Sequence, residues 1–165
     1  MIFIPVIILL FLLLLYVFFG IVLKKLSESD MVIPTEAGPT DHVNVPPPYK
    51  TKSIYPKING QYLDMSRYIR TVVCGYCMQP KKIYNGDNVL VKKIDTTKDL
   101  MSQIKKEDIL FLYVSEKNIY KFRVLDRIGK DGALYTKYYD ANGQEKHSSR
   151  PHTQQMVLGI ARYKL

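Results

Sequence analysis

Three regimes of hydrophobic and polar positions follow one another along the chain. Residues 1–23 carry no charge, are mostly Leu, Ile, Val and Phe, and end at Lys24-Lys25. At about 1.5 Å of rise per residue, such a run covers the roughly 30 Å of bilayer hydrocarbon, which predicts a transmembrane helix. A cleaved signal would instead show a basic start, a shorter apolar core and a small-x-small site. Residues 24–62 are polar and hold Pro34, Pro39, Pro46, Pro47, Pro48 and Pro56. They predict a Pro-rich tether that buries little and stays extended or disordered.

From 63 to 165 the pattern becomes that of strands. Asn88–Ile94 alternates around Val89, Leu90 and Val91, and Asp108–Val114 is a nearly continuous apolar run. Asn118–Ile128 places Ile119, Lys121 and Arg123 on one side and Tyr120, Phe122 and Val124 on the other. Asp131-Gly132 and Asn142-Gly143 are hairpin signals, because each supplies the positive φ of a tight turn. They bracket a Tyr-rich strand over Ala133–Asp140; Met156–Tyr163 is a last strand, and Lys98–Lys105 a short helix. The fold class is mainly β, an antiparallel domain over 63–165 preceded by one transmembrane helix.

Charge refines this picture. The chain is +9, and residues 50–165 hold 22 Lys/Arg against 11 Asp/Glu. Two lysines follow the apolar run and none precedes it. The positive-inside tendency then makes this a single-pass membrane protein with its C-terminal domain in the cytoplasm. A basic domain on such a tether would rest near anionic membrane lipid. The positive charges are interleaved with acids and form no stripe, which argues against nucleic acid as partner. Within the tether, Pro46-Pro47-Pro48-Tyr49 fits the Pro-Pro-x-Tyr pattern read by WW-domain proteins.

The two cysteines form Cys74-Gly75-Tyr76-Cys77. Zinc needs four ligands, and His42, His147 and His152 lie far away in sequence, so no metal or other cofactor is implied. A redox dithiol normally opens a helix, whereas Pro80 and Asn85-Gly86 follow here.

Gly75-Tyr76-Cys77-Met78-Gln79-Pro80, followed by Gly86-Asp87 and the apolar strand from Asn88, resembles the first signature of the signal peptidase and LexA-like peptidase superfamily. Cys77 stands where that family has its nucleophilic serine. Glu107-Asp108-Ile109-Leu110-Phe111 is similar to its Gly-Asp-Ile strand, with Glu in the Gly place. Tyr120–Val124 is similar to the strand that delivers its lysine, and Val157–Ala161 to its closing strand. The resemblance covers about residues 70–165 and implies a β domain of signal-peptidase-like type acting as a membrane-tethered endopeptidase. Cys77 would be the nucleophile and Lys121 the general base, with Gly75, Met78 and Pro80 lining the oxyanion and substrate side. Gly86 and Asp87 would be structural. The substrate would be a peptide taken as an added strand. A buried lysine loses its proton readily, and a thiol near an ammonium ionises readily, so the pair is chemically coherent. The competing expectation is an inactive member of the fold, serving as a membrane-anchored binding or structural module.

Overall fold

The computed structural model describes residues 14–18, 29–37, 45–76, 78–140 and 142–165. It resolves into two compact units, one of residues 1–30 with 51–54 and one of residues 31–50 with 55–165. In the first unit the described helix is limited to residues 14–18, and the Asp30 carboxylate accepts from the Ser53 hydroxyl at 3.2 Å and the Ile54 N–H at 3.0 Å.

The predicted transmembrane helix is corrected here. Among the described residues, no helix is long and apolar enough to cross a membrane. The rest of 1–23 lies outside the described residues. The single-pass localisation, and the cytoplasmic placement that depended on it, lose their basis.

The mainly β expectation holds. Among the described residues, eleven strands form in chain order: β1 Ser29–Glu36, β2 Tyr49–Lys52, β3 Lys57–Ile58, β4 Gln61–Tyr62, β5 Tyr68–Cys74, β6 Asn88–Lys93, β7 Ile109–Val114, β8 Ile119–Ile128, β9 Leu134–Tyr139, β10 Glu145–His147 and β11 Val157–Lys164. The main sheet runs β10-β9-β8-β7-β11-β6-β5-β1-β2, and a further β8–β1 pairing closes six of these strands into a barrel. Among the described residues, closure rests on one pair, Glu36 opposite Lys121, in parallel sense. On its other side β1 pairs with β5, also parallel, from Val32 opposite Arg70 to Glu36 opposite Cys74. The remaining barrel pairings are antiparallel.

Period-2 alternation sorts the side chains into two packed layers. Val73, Met78, Val89, Val91, Phe111, Phe122 and Val124 form one, with Ile33, Tyr120 and Ala161 against it. This layer draws on all six barrel strands, so it is the barrel interior. Leu110, Leu112, Leu125, Leu134, Val157 and Ile160 form the other, covered by Leu100 and Ile104. Gly159 is the narrow point of the closing strand: a Cβ there would lie 2.5 Å from the Lys92 carbonyl oxygen and from Val91 Cγ1.

The hairpins fall where the turn signals place them, with Gly132 at φ +79° and Gly143 at φ +75°. The short helix expected over Lys98–Lys105 is only a 3₁₀ turn at Leu100–Ser102. The Gln103 side chain competes for the backbone there. It accepts from the Asp95 N–H and donates to the carbonyls of Asp95, Lys98 and Asp99, which holds a compact loop instead. The segment read as a tether supplies β1, whose Met31-Val32-Ile33 run is followed by Pro34.

Candidate functional site

β8 carries Lys121 and Arg123 two residues apart, on one face of the strand. Their cross-strand neighbours on β7 are Leu112 and Leu110, both fully buried, so the two cations stand on an apolar wall. Lys121 is 6% exposed and Arg123 4%. Glu36 comes from the end of β1, 2% exposed, and its Oε1 lies 3.6 Å from Lys121 Nζ and 4.0 Å from Arg123 Nη2. These are long contacts for a buried carboxylate, and Oε1 has no hydrogen-bond partner.

Arg123 is held by its own surroundings. It donates to the Phe122 carbonyl at 2.8 Å, and its guanidinium lies 5.0 Å from the Tyr138 ring centroid. Burial holds the Lys121 amine below its ordinary pKa; Arg123 adds to this and Glu36 works against it. His152 completes the group. Burial, then the charges of Arg123 and Lys121, push its pKa down to about 4, so it is neutral at pH 7. Its Nε2 is buried without a partner.

Cys74 ends β5, directly across β1 from Lys121, since Glu36 is opposite both. Two strand spacings of about 4.8 Å put the Cys74 and Lys121 backbones about 10 Å apart. Burial pushes the Cys74 thiol pKa up, partly offset by the Thr35 backbone, which disfavours its thiolate. Cys77 lies outside the described residues.

The loop between β5 and β6 is strongly specified. Gly75 sits at φ +113°, where a side chain would be strained, and its N–H donates to Asn85 Oδ1 at 2.9 Å. That N–H is therefore occupied and offers no oxyanion donor. Met78 is fully buried in the barrel interior, and its carbonyl accepts from Lys81 and Ile83. Its buried side chain anchors the loop. Pro80 is exposed in the 3₁₀ turn Gln79–Lys81. Gly86, at φ +86°, donates to the Val73 carbonyl at 2.8 Å. The Asp87 carboxylate pairs with Lys164 at 2.8 Å and accepts from the Tyr84 N–H at 2.7 Å, and both contacts hold its pKa down. Pro46, Pro47, Pro48 and Tyr49 are exposed.

Sequence reasoning selected Lys121 and missed Glu36, Arg123 and His152. Arg123 was visible as the second cation on the Lys121 side of an alternating strand. Glu36 was hidden by its Pro-rich neighbourhood, and only the Met31–Ile33 run signalled a strand there. Elsewhere, a cleft of about 520 Å³ is lined by Arg67, Lys92, Lys93, Lys98 and Arg162 among others, and holds none of the residues above. Among the described residues, no group of three or more His, Cys, Asp or Glu could hold a metal ion. No family model matches the chain, and no curated protein matches it.

Proposed function

We propose that the barrel acts on extended peptides as an endopeptidase in which Cys77 is the nucleophile and Lys121 the general base, as the resemblance to signal-peptidase-like enzymes implies. The observation that carries this reading is the burial of Lys121 on an apolar wall, one strand away from the end of β5, where the loop bearing Cys77 begins. Desolvation favours the neutral amine, which is the form a general base needs. In the proposed step, the thiol proton passes to the Lys121 amine while the sulfur adds to the peptide carbonyl carbon. The intermediate then expels the peptide amine, which takes the proton from Lys121, and leaves a thioester for water to hydrolyse.

The test is thiol alkylation against pH in a Cys74→Ala chain. Cys77 is expected to react with iodoacetamide well below pH 8, and Lys121→Ala should move that reaction back toward the ordinary thiol range. A Cys77 that stays inert in the folded chain overturns the peptidase reading.

A second reading, a peptide-binding module without catalysis, is favoured by Glu36. A carboxylate 3.6 Å from Lys121 Nζ retains the proton on that amine and competes with its use as a base. This reading expects Cys77→Ala to leave peptide binding unchanged.

A further inference from the structure

β1 differs from every other barrel strand in how it is held. It runs parallel to both neighbours, β5 and β8, while the other barrel pairings are antiparallel. Pro34 sits in the middle of its pairing with β5 and has no N–H to give the ladder. Among the described residues, its one rung to β8 is Glu36–Lys121. The side chains nearest that rung are nonetheless sunk completely: Thr35 and Ala37 are 0% exposed. The Ala37 N–H donates to the Cys74 carbonyl at 2.8 Å, which continues the parallel ladder past Glu36. This is the geometry of an extended peptide added between two sheet edges.

The middle residue of that run is a carboxylate in a socket of two cations, with one oxygen buried and unbonded. A charge-assisted bond at its optimum is about 2.7–2.9 Å long. The Glu36 contacts, at 3.6 and 4.0 Å, are longer than that optimum.

We propose that the space between β5 and β8 is a peptide groove that β1 fills in cis, and that Lys121 and Arg123 form its receptor for an acidic side chain, so that the groove selects extended peptides with Asp or Glu between two small residues. This rests on the second reading above, peptide binding without catalysis, because an acid held by Lys121 keeps that amine protonated, and it names both the ligand class and the internal competitor. Thr35 and Ala37 mark the two closed positions flanking the acid. A peptide in trans must displace β1, so its apparent affinity is lowered by the fraction of time β1 occupies the groove.

The test uses the full chain with Cys77→Ala, so that no chemistry can occur, and a fluorescent peptide of sequence Asp-Met-Val-Ile-Pro-Thr-Glu-Ala. Glu36→Lys sets a third cation against Lys121 and Arg123 and should release β1. The peptide is expected to bind this variant at least 10-fold more tightly than the parent chain. A Glu-to-Gln peptide should bind at least 10-fold more weakly, and Arg123→Met should abolish that preference. A folded Glu36→Lys chain that binds no peptide, or binds the Glu and Gln peptides equally, overturns the proposal.

Hydrogen exchange on the unaltered chain gives a second measurement that needs no variant to fold. The Val32, Ile33 and Thr35 amides should exchange at least 100-fold faster than those of Leu110–Leu112, and equal protection also overturns it. Neither readout depends on a reactive thiol, so an inert Cys77 removes catalysis and leaves the groove standing, and the reverse outcome is equally visible.

Discussion

Two ion clusters in this molecule invert the usual relation between burial and closeness. At Glu36 the carboxylate is almost fully buried, and its cations stand off at 3.6 and 4.0 Å. At Glu107 the carboxylate is 42% exposed, yet Lys81 approaches to 2.6 Å and Lys137 to 2.7 Å, while Lys137 also meets Glu145 at 3.0 Å. The tight cluster has a mechanical task. Glu107 holds φ +71°, a left-handed conformation that favours glycine, at the corner where its N–H meets the Leu125 carbonyl. Its ion pairs fasten that corner. Those contacts hold the Glu107 pKa down to about 2, with Lys137 the larger cause and Lys81 the second. The loose cluster fastens little for its depth. A buried charge with poor bonding is costly, which suits a position where one occupant can replace another.

The two clusters should respond differently to substitution. Arg123→Ala should have the largest effect. It removes the bond to the Phe122 carbonyl and the stacking on Tyr138 and thins the charge around buried Glu36, with an expected loss of about 3 kcal/mol in urea unfolding.

The pH profile comes next. The folded His152 pKa of about 4 lies below the unfolded value of about 6.5, so the unfolded chain takes up a proton first. Its contribution is fully present above pH 6.5 and is lost as pH falls toward 4. Allowing for its partial exposure, the loss should total about 1–2 kcal/mol. His152→Gln should flatten the Tm-versus-pH curve across that window and leave it alone above.

Glu107→Ala should cost only about 1 kcal/mol at low salt, because the exposed Glu107 carboxylate is screened by solvent and buried Lys137 keeps Glu145 as partner. The same comparison in 1 M NaCl should shrink toward zero, while the Arg123→Ala loss persists. Glu107→Gly should have the smallest effect, within about 0.5 kcal/mol of the parent, because relief of the positive φ offsets the lost ion pairs. A Glu107→Gly chain as weak as Glu107→Ala would break the link between this cluster and its backbone corner.

Much of the barrel was legible because its strands announce themselves locally. Val89 to Val91, the Ile109–Val114 run and the Lys121/Phe122 alternation all carry their own period. Asp131-Gly132 and Asn142-Gly143 carry their own φ. Glu107 carries no local signal of the left-handed backbone it adopts. What sequence could not yield is long-range pairing. β5 includes Arg70 and Thr71 among its apolar residues, and Thr71 is silenced only by its bond to the Val89 carbonyl. β1 reads as linker because Pro34 and Glu36 are polar-segment residues until β5 and β8 close around them. The uncharged run over 1–23 suggested a bilayer span by length and polarity alone.

β11 lies between β7 and β6, although both precede it by many residues in the chain. It bends its register once toward each partner, with bare Gly159 between. Half the cylinder therefore waits for residues 157–164 before it can assemble. Non-local pairing of this kind makes for slow folding and leaves the β6 and β7 edges open meanwhile to strand-swapping with a second molecule.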